Sequence, residues 1–209
     1  MEYNPLPQAF FLRDTVTVAR ELLGKRLVHR TPEGLCSCII TETEAYCGPS
    51  DRACHSYRGK PDGRTNVMYE PGGRSYVYLI YGMHCCFNVT TCPEGQPEAV
   101  LIRSAQPLEG QELMFARRGG SRVRSLSQRT LLTGPGRLCA AMGITRQQYG
   151  LPLWEGDLLL CQGEDVPEEA IAATPRIHVD YAGEDARLPY RFLDRRSPYL
   201  SVPFRPSKR

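Results

Sequence analysis

The chain has 209 residues, of which 41% are hydrophobic and 23% charged, with a formal net charge of +3. This is an ordinary globular mix, with enough length to bury one full core. No apolar run reaches about 18 residues, and residues 1–5 lack a basic region followed by an apolar one, so neither a transmembrane helix nor a signal peptide is expected. The weak positive charge does not by itself require nucleic acid. Its make-up says more: only Lys25, Lys60 and Lys208 are lysines, so 23 of the 26 basic residues (26 − 3) are arginine. Arginine favours planar, bidentate contact with phosphate and stacking on aromatic rings; an arginine-rich genome gives the same bias. The nine cysteines include no C-x-x-C pair, which gives little support to a structural zinc site. Without an export signal they are expected to be reduced and to serve mostly as small apolar core residues.

Asp14 suits the N-cap of a helix in which Val16, Ala19, Leu22 and Leu23 share a face, with Gly24 at its C-terminal end. Strands are expected at 25–29 and 35–42, joined by the turn Thr31-Pro32-Glu33-Gly34. The second strand leads into Thr41-Glu42-Thr43-Glu44-Ala45-Tyr46. Alternation there puts Glu42, Glu44 and Tyr46 on one face and Thr41, Thr43 and Ala45 on the other. Gly48-Pro49 stops the strand, and His55 follows a short loop later. A carboxylate, an aromatic ring and an imidazole can together form a pocket for a flat substrate. Two solvated glutamates at a strand end are the plainer alternative.

Residues 48–75 form a long polar stretch of the kind that marks a functional loop, with disorder as the alternative for 57–64. Tyr76-Val77-Tyr78-Leu79-Ile80-Tyr81 is β-prone, Gly82-Met83-His84 breaks it, and 85–90 resume. This predicts a hairpin with Tyr81 near its tip, either exposed for a purpose or folded back onto the domain. A further strand is expected at 99–103, ending in Arg103, and a helix at 108–118. Arg117, Arg118, Arg122, Arg124 and Arg129 follow with no acidic residue between them, either as a flexible basic loop suited to phosphates or as solvated arginines. Residues 131–138 read as a helix start, with Pro135 near the first turn and Gly143 past the end. Such an N-terminus beside Arg137 is a ready anion site or a plain helix start. Short strands are expected at 157–161, 176–179 and 190–193, a solvated acidic loop at 164–169 and a frayed tail at 203–209. No internal repeat or linker is visible, so one domain is expected over 1–209.

Together, Thr41-Glu42-Thr43-Glu44-Ala45-Tyr46, His55, Tyr76-Val77-Tyr78-Leu79-Ile80-Tyr81-Gly82-Met83, Asn88 and Arg103 resemble the alkyladenine (3-methyladenine, or N-methylpurine) DNA glycosylase family, as distinct from the helix-hairpin-helix glycosylases. Pro107-Leu108-Glu109-Gly110, Gly134-Pro135-Gly136-Arg137-Leu138 and Ser197-Pro198-Tyr199-Leu200-Ser201-Val202 extend the resemblance, in order, over residues 10–202. The resemblance implies an α+β fold: a single mixed α/β domain with a curved antiparallel β-sheet and a protruding, DNA-intercalating β-hairpin. It implies a monofunctional enzyme of base excision repair, using no cofactor or metal. Such an enzyme flips damaged purines out of double-stranded DNA and hydrolyses the bond from base to deoxyribose, leaving an abasic site. Glu44 matches the family's catalytic acid, and Arg103 a residue placed by the active-site water and the backbone. Tyr46, His55 and Tyr78 match base-stacking residues, Asn88 the residue that screens purines at their 2-position, and Tyr81 the intercalating tyrosine. Met83 and Arg137 fall among the implied DNA-binding residues. The chain begins almost at the domain, without the long basic extension of animal members, so it looks like a bacterial form. With no targeting signal or membrane span expected, a cytoplasmic protein without membrane association is expected, and the resemblance implies a monomer. The 57–75 loop and the 92–98 connection differ in length from other members, which leaves open which arginines touch phosphate.

The residue types suit this chemistry. A base inside a duplex is out of reach, so it must be extruded at a cost of a few kcal/mol, and an aromatic wedge such as Tyr81 can fill the gap. A base–aromatic stack contributes roughly 1–3 kcal/mol, and a cationic alkylpurine gains further from cation–π attraction. Guanine would be excluded by a clash of its 2-amino group against Asn88. Cleavage passes through an oxocarbenium-like sugar, and a carboxylate such as Glu44 can activate water and stabilise that charge. No lysine sits in the constellation, so no Schiff-base lyase step is expected. Two other classes compete. A non-catalytic domain that senses distorted DNA would have no use for a bare carboxylate in its cleft. A hydrolase of small nucleosides would keep the pocket without needing the hairpin.

Overall fold

The computed structural model describes residues 3–119 and 126–205. Arg122, Arg124, Lys208 and the end of the expected tail lie outside the described residues. After a short helix α1 (Gln8–Phe11), helix α2 (Thr15–Glu21) begins at Asp14, whose side chain accepts from the Thr17 N–H at 2.8 Å. This satisfies one of the unpaired donors of the first turn. Val18, Ala19 and Leu22 are buried, as their spacing requires. Gly24 then adopts φ 81° and turns the chain into the sheet.

The eight strands among the described residues all pair antiparallel. They are β1 (Arg26–Thr31), β2 (Gly34–Tyr46), β3 (Ser75–Ile80), β4 (His84–Thr91), β5 (Glu98–Glu109), β6 (Leu158–Cys161), β7 (Ile171–Thr174) and β8 (Arg191–Asp194). The order is β3-β4-β5-β2-β1-β6, with β8 also on β2 and β7 beyond β8. The long β2 is the axis of this open sheet. Its first half pairs with β1, and Glu42, Thr43 and Glu44 pair with β8. Strand β5 flanks its other edge. Thr43 points at α2, donating to the Ala19 carbonyl at 2.7 Å, so Glu42 and Glu44 face the opposite side. Two further helices, α3 (Gln111–Arg117) and α4 (Pro135–Met142), pack on each other, and α4 also lies on β4 and β5. Most of the buried apolar side chains form one cluster between sheet and helices, with Phe11, Leu22, Ile40, Phe87, Ile102 and Leu138 among its members. Burying each such side chain fully contributes roughly 1.5–3 kcal/mol. All nine cysteines are unpaired and seven are buried, as core residues. Among the described residues, no helix is long and apolar enough to cross a membrane.

Several expectations need correction. The helix expected at 108–118 is split: Leu108 and Glu109 end β5, and α3 starts only at Gln111. Gly110, at φ 74°, makes the break, and a side chain there would collide with the Leu35 carbonyl. Residues 176–179 are not a strand but an irregular segment, because the Ile177 N–H is taken by a side chain. Strand β7 was not anticipated. Residues 57–64 adopt defined turns: Gly59 donates to the Ser56 carbonyl at 2.8 Å, and the Asp62 carboxylate accepts from the Thr65 N–H at 2.9 Å. Of the expected phosphate-binding arginines, Arg117 pairs with Glu33 at 2.6 Å. Arg118 donates to the Leu131 carbonyl at 2.6 Å and Arg129 to the Pro198 carbonyl at 3.1 Å. These three fasten the fold. The acidic stretch at 164–169 is exposed, but Asp165 and Glu168 pair with Lys25 and Arg20.

Candidate active site

The Thr41–Tyr46 stretch does not emerge into solvent. Glu42 and Glu44 are both 0% exposed, which overturns the reading of two solvated carboxylates. Burying two ionised carboxylates is costly unless charge and hydrogen bonds compensate, and both are compensated here. The Glu44 Oε2 accepts from the Tyr46 hydroxyl at 2.8 Å and from Arg103 Nη1 at 3.2 Å, and its Oε1 accepts from the Ile177 N–H at 2.8 Å. The Glu42 Oε1 accepts from Arg191 Nε at 2.6 Å, Arg103 Nε at 3.3 Å and the Ser201 hydroxyl at 2.7 Å. Its Oε2 accepts from the Ser201 N–H at 2.6 Å. Burial alone would push the Glu42 carboxyl up, but Arg191, Arg103 and the two Ser201 donors together more than reverse this and hold it below the ordinary carboxylate range.

Arg103 reaches both carboxylates because the sheet is irregular at that point. Glu42 pairs with Ser104 and Thr43 with Ile102, so Arg103 is the extra residue of a β-bulge. A bulge redirects a side chain that strict alternation would send elsewhere. Burial opposes the charge on Arg103, and Glu44 and Glu42 restore it, raising its pKa above the usual arginine value.

Beyond Glu44 lies an aromatic recess lined by Tyr46, His55, Tyr76, Tyr78, Asn88 and Tyr181, among others. Burial, and next the Glu44 charge, raise the Tyr46 phenol well above its ordinary pKa, so it stays protonated and donates to Glu44. His55 approaches the Tyr76 hydroxyl at 2.8 Å through Nδ1 and meets the Tyr78 ring edge-to-face at 4.6 Å between centroids. Crowding by protein, then Arg64, lower the His55 pKa to about 4, although the ring also has an exposed side. Asn88 is buried and donates to the Tyr76 carbonyl at 2.9 Å. The recess opens into a cleft of about 950 Å³, which Arg103, Tyr81, Arg137, Ile177 and Ser201 help to line. Glu44 sits behind this wall, screened by Tyr46, Arg103 and Ile177.

The hairpin of β3 and β4 forms one wall. Tyr81 and Met83 at its tip are 81% and 74% exposed, so Tyr81 is not folded back onto the domain. The start of α4 forms the neighbouring wall: Gly134, Pro135, Gly136 and Arg137 line the cleft. Gly136 lies against His84, the first residue of β4 beside the hairpin tip, where an added Cβ would come within 3.1 Å of the His84 Cβ.

All the residues marked by the sequence thus border one cleft or stand directly behind it, apart from Met83, which lies at the hairpin tip. Others were missed. Arg176, wholly buried, pairs bidentately with Asp51 and lies over the Tyr46 ring at 4.8 Å. Asp51 in turn accepts from the N–H groups of Cys47 and Ala53, which fixes the loop leading to His55. Arg191 and Ser201 anchor Glu42, and Tyr181, 71% exposed, borders both recess and cleft. The Ser197–Val202 motif was the one signal that could have pointed to Ser201. Nothing in the local pattern marks the Ile177 N–H.

The family model described as Methylpurine-DNA glycosylase matches residues 9–198. A protein of Methanocella arvoryzae is 47% identical over 197 residues, covering 94% of this chain and 95% of its own length. Proteins of Bacillus cereus and Bacillus anthracis are each 44% identical, over 200 and 203 residues, covering 93% of this chain and 98% of their own lengths. All three bear the provisional name 3-methyladenine DNA glycosylase. The chain therefore belongs to the methylpurine-DNA glycosylase family and is an enzyme of the DNA glycosylase class.

Proposed function

We propose that the chain is a monofunctional glycosylase acting as a single-domain monomer in the bacterial cytoplasm. It removes damaged purines (3-methyladenine, 7-methylguanine, hypoxanthine and ethenoadenine) from duplex DNA. The observation that carries this reading is the buried Glu44–Arg103 pair directly behind a recess walled by Tyr46, His55 and Tyr78. The flipped base stacks on those rings, and Asn88 screens its 2-position. Tyr81 fills the space left in the duplex, with Met83 beside it. Arg137 and the α4 N-terminus receive a phosphate. A carboxylate offers about four lone-pair sites, and Glu44 uses three of them, so Oε1 keeps one acceptor site for water. The water oxygen forms a bond to C1′ as the C1′–N bond breaks. The bonding pair leaves with the base, and the water proton passes to Glu44. A base that is already cationic departs neutral. Among the described residues no lysine lines the cleft, so no amine competes with water for C1′.

The test is single-turnover excision on duplexes carrying hypoxanthine or 7-methylguanine, with abasic sites revealed by alkali. Wild type should release base without prior strand breaks. Glu44→Gln should bind the lesion and lose excision by at least about a hundredfold, the usual contribution of general base catalysis. Excision by Glu44→Gln would remove Glu44 from the mechanism. Tight lesion binding by a wild type that releases no base would favour a damage-sensing binder.

A further inference from the structure

We propose that Glu42 is a positioning residue for the reaction: it shares Arg103 with Glu44, so that the guanidinium holds Glu44 in place without committing its whole charge to it. This rests on the role of Glu44 proposed above. The geometry carries it. Arg103 Nε lies 3.3 Å from Glu42 and Nη1 3.2 Å from Glu44, so one guanidinium bridges two carboxylates through separate nitrogens. Arg191 Nε supplies a second cation to Glu42 at 2.6 Å, which makes the four-residue cluster neutral. Two donors from Ser201 complete Glu42. Ser201 also sits 3.4 Å from Arg103, and Arg191 Nη2 donates to the Val202 carbonyl at 2.8 Å. The C-terminal segment is therefore clamped to the cleft wall by the same carboxylate.

Such a burial needs a reason. A buried ion cluster is commonly no more stable than an apolar replacement of similar volume. Glu42 lines neither the recess nor the cleft, and its hydrogen bonds go to Arg103, Arg191 and Ser201, so base recognition does not account for it. What it does touch is the cation that contacts Glu44. A general base needs a charge partner for placement, yet a guanidinium given wholly to it would weaken its pull on the water proton. A second carboxylate on the same guanidinium resolves that conflict.

Other groups facing Glu44 leave this balance in place. On β2 there is Tyr46, a neutral donor. From the segment after β7 comes Arg176, neutralised by Asp51. From β3 and β4 come Tyr78 and the Cys86 thiol, both pushed up by burial and hence neutral. Tyr181, also raised by burial first, is neutral too. Strand β8 brings Arg191, already engaged by Glu42.

The test is the pH dependence of single-turnover excision of 7-methylguanine, a cationic base whose departure needs no acid, so that the acid limb reports on the base catalyst. Glu42→Gln keeps the shape and removes the charge, leaving Arg103 to Glu44 alone. The acid limb should move down by about one pH unit, as expected for strengthened pairing with an opposite charge, and the plateau rate should fall roughly threefold or more. Ser201→Ala and Arg191→Gln have the opposite sign. Each leaves Glu42 less satisfied and binds it more tightly to Arg103, so the limb should move up. A merely structural cluster would lower the rate in all three variants without moving the limb in opposite directions, and that result would overturn the proposal. Should Glu42→Gln fail to fold, as judged by circular dichroism, Ser201→Ala decides, because its side chain is partly exposed and its loss is mild. Excision lost in Glu44→Gln with an unmoved limb in the other variants would sink this inference alone. Excision kept in Glu44→Gln would sink the underlying mechanism.

Discussion

His55 shows how packing sets the charge of a single side chain in this site. Protein crowded around its ring disfavours the imidazolium, and Arg64 adds to this, so the pKa falls from 6.5 to about 4. Water on the exposed side of the ring shrinks the shift without reversing it. At pH 7 the imidazole is therefore neutral, which is compatible with the stacking on a cationic purine proposed above. Between about 4 and 6.5 the unfolded chain binds a proton that the folded His55 refuses, so stability falls as pH drops through that window. A histidine-selective NMR titration should give a His55 midpoint well below 6.5, and a midpoint above 6 would refute the neutral-stack argument. At this scale the sequence was partly readable. Glu44 and Tyr46 follow from a period of two, since both lie on the face opposite Thr43. The reach of Arg103 does not follow, because it depends on a bulge that no local pattern encodes. The Ile177 N–H is invisible for another reason: its contribution is backbone, and it lies 133 residues from Glu44.

Among the elements, the β3–β4 hairpin was the most legible, since β-prone residues flank Gly82. Its turn contains a feature that composition does not show. Tyr81 has φ 52° and Gly82 φ 67°, with the Met83 N–H donating to the Ile80 carbonyl at 3.2 Å. Two successive positive φ values mark a type I′ turn, in which Asn or Gly is favoured at the first position. A tyrosine there costs about 1–2 kcal/mol, and at 81% exposure it recovers little by packing. Strain held at an exposed tip is an argument for function. Tyr81→Asn should therefore leave the thermal midpoint unchanged or higher while reducing single-turnover excision from duplex DNA at least tenfold. A lower midpoint would show that Tyr81 holds the turn together, and undiminished excision would remove it as a wedge. Elsewhere the element boundaries failed where tertiary contacts overrode local preference. Leu108 and Glu109 have helical company in sequence but complete β5 along β2, and Gly110 sets the break. The segment at 176–179 looks like a strand, yet its partners are Glu44 and Asp51 rather than another strand.

For the whole molecule, a net charge of +3 over 209 residues is too weak a field to hold DNA, so attraction has to be local to the cleft. Among the described residues, four arginines line it: Arg64, Arg103, Arg118 and Arg137. Three are engaged elsewhere. Arg103 serves two carboxylates, Arg64 lies 3.4 Å from Asp62, and Arg118 donates to the carbonyls of Thr130 and Leu131. Arg137 makes only a 3.4 Å contact to the Thr133 carbonyl among the described residues, at the start of α4, where N–H groups already point outward. Its charge also adjoins Arg118, whose pKa is lowered by burial and then by Arg137, so an incoming phosphate would relieve a repulsion. Each phosphate neutralised contributes about −0.9 to the slope of log K against log salt. Arg137→Ala should accordingly reduce that slope by about one and weaken damaged and undamaged duplexes alike. Affinity measured by fluorescence anisotropy across a salt series on both duplexes decides. An unchanged slope would take Arg137 off the phosphate, whereas weakening confined to the damaged duplex would place it in base recognition.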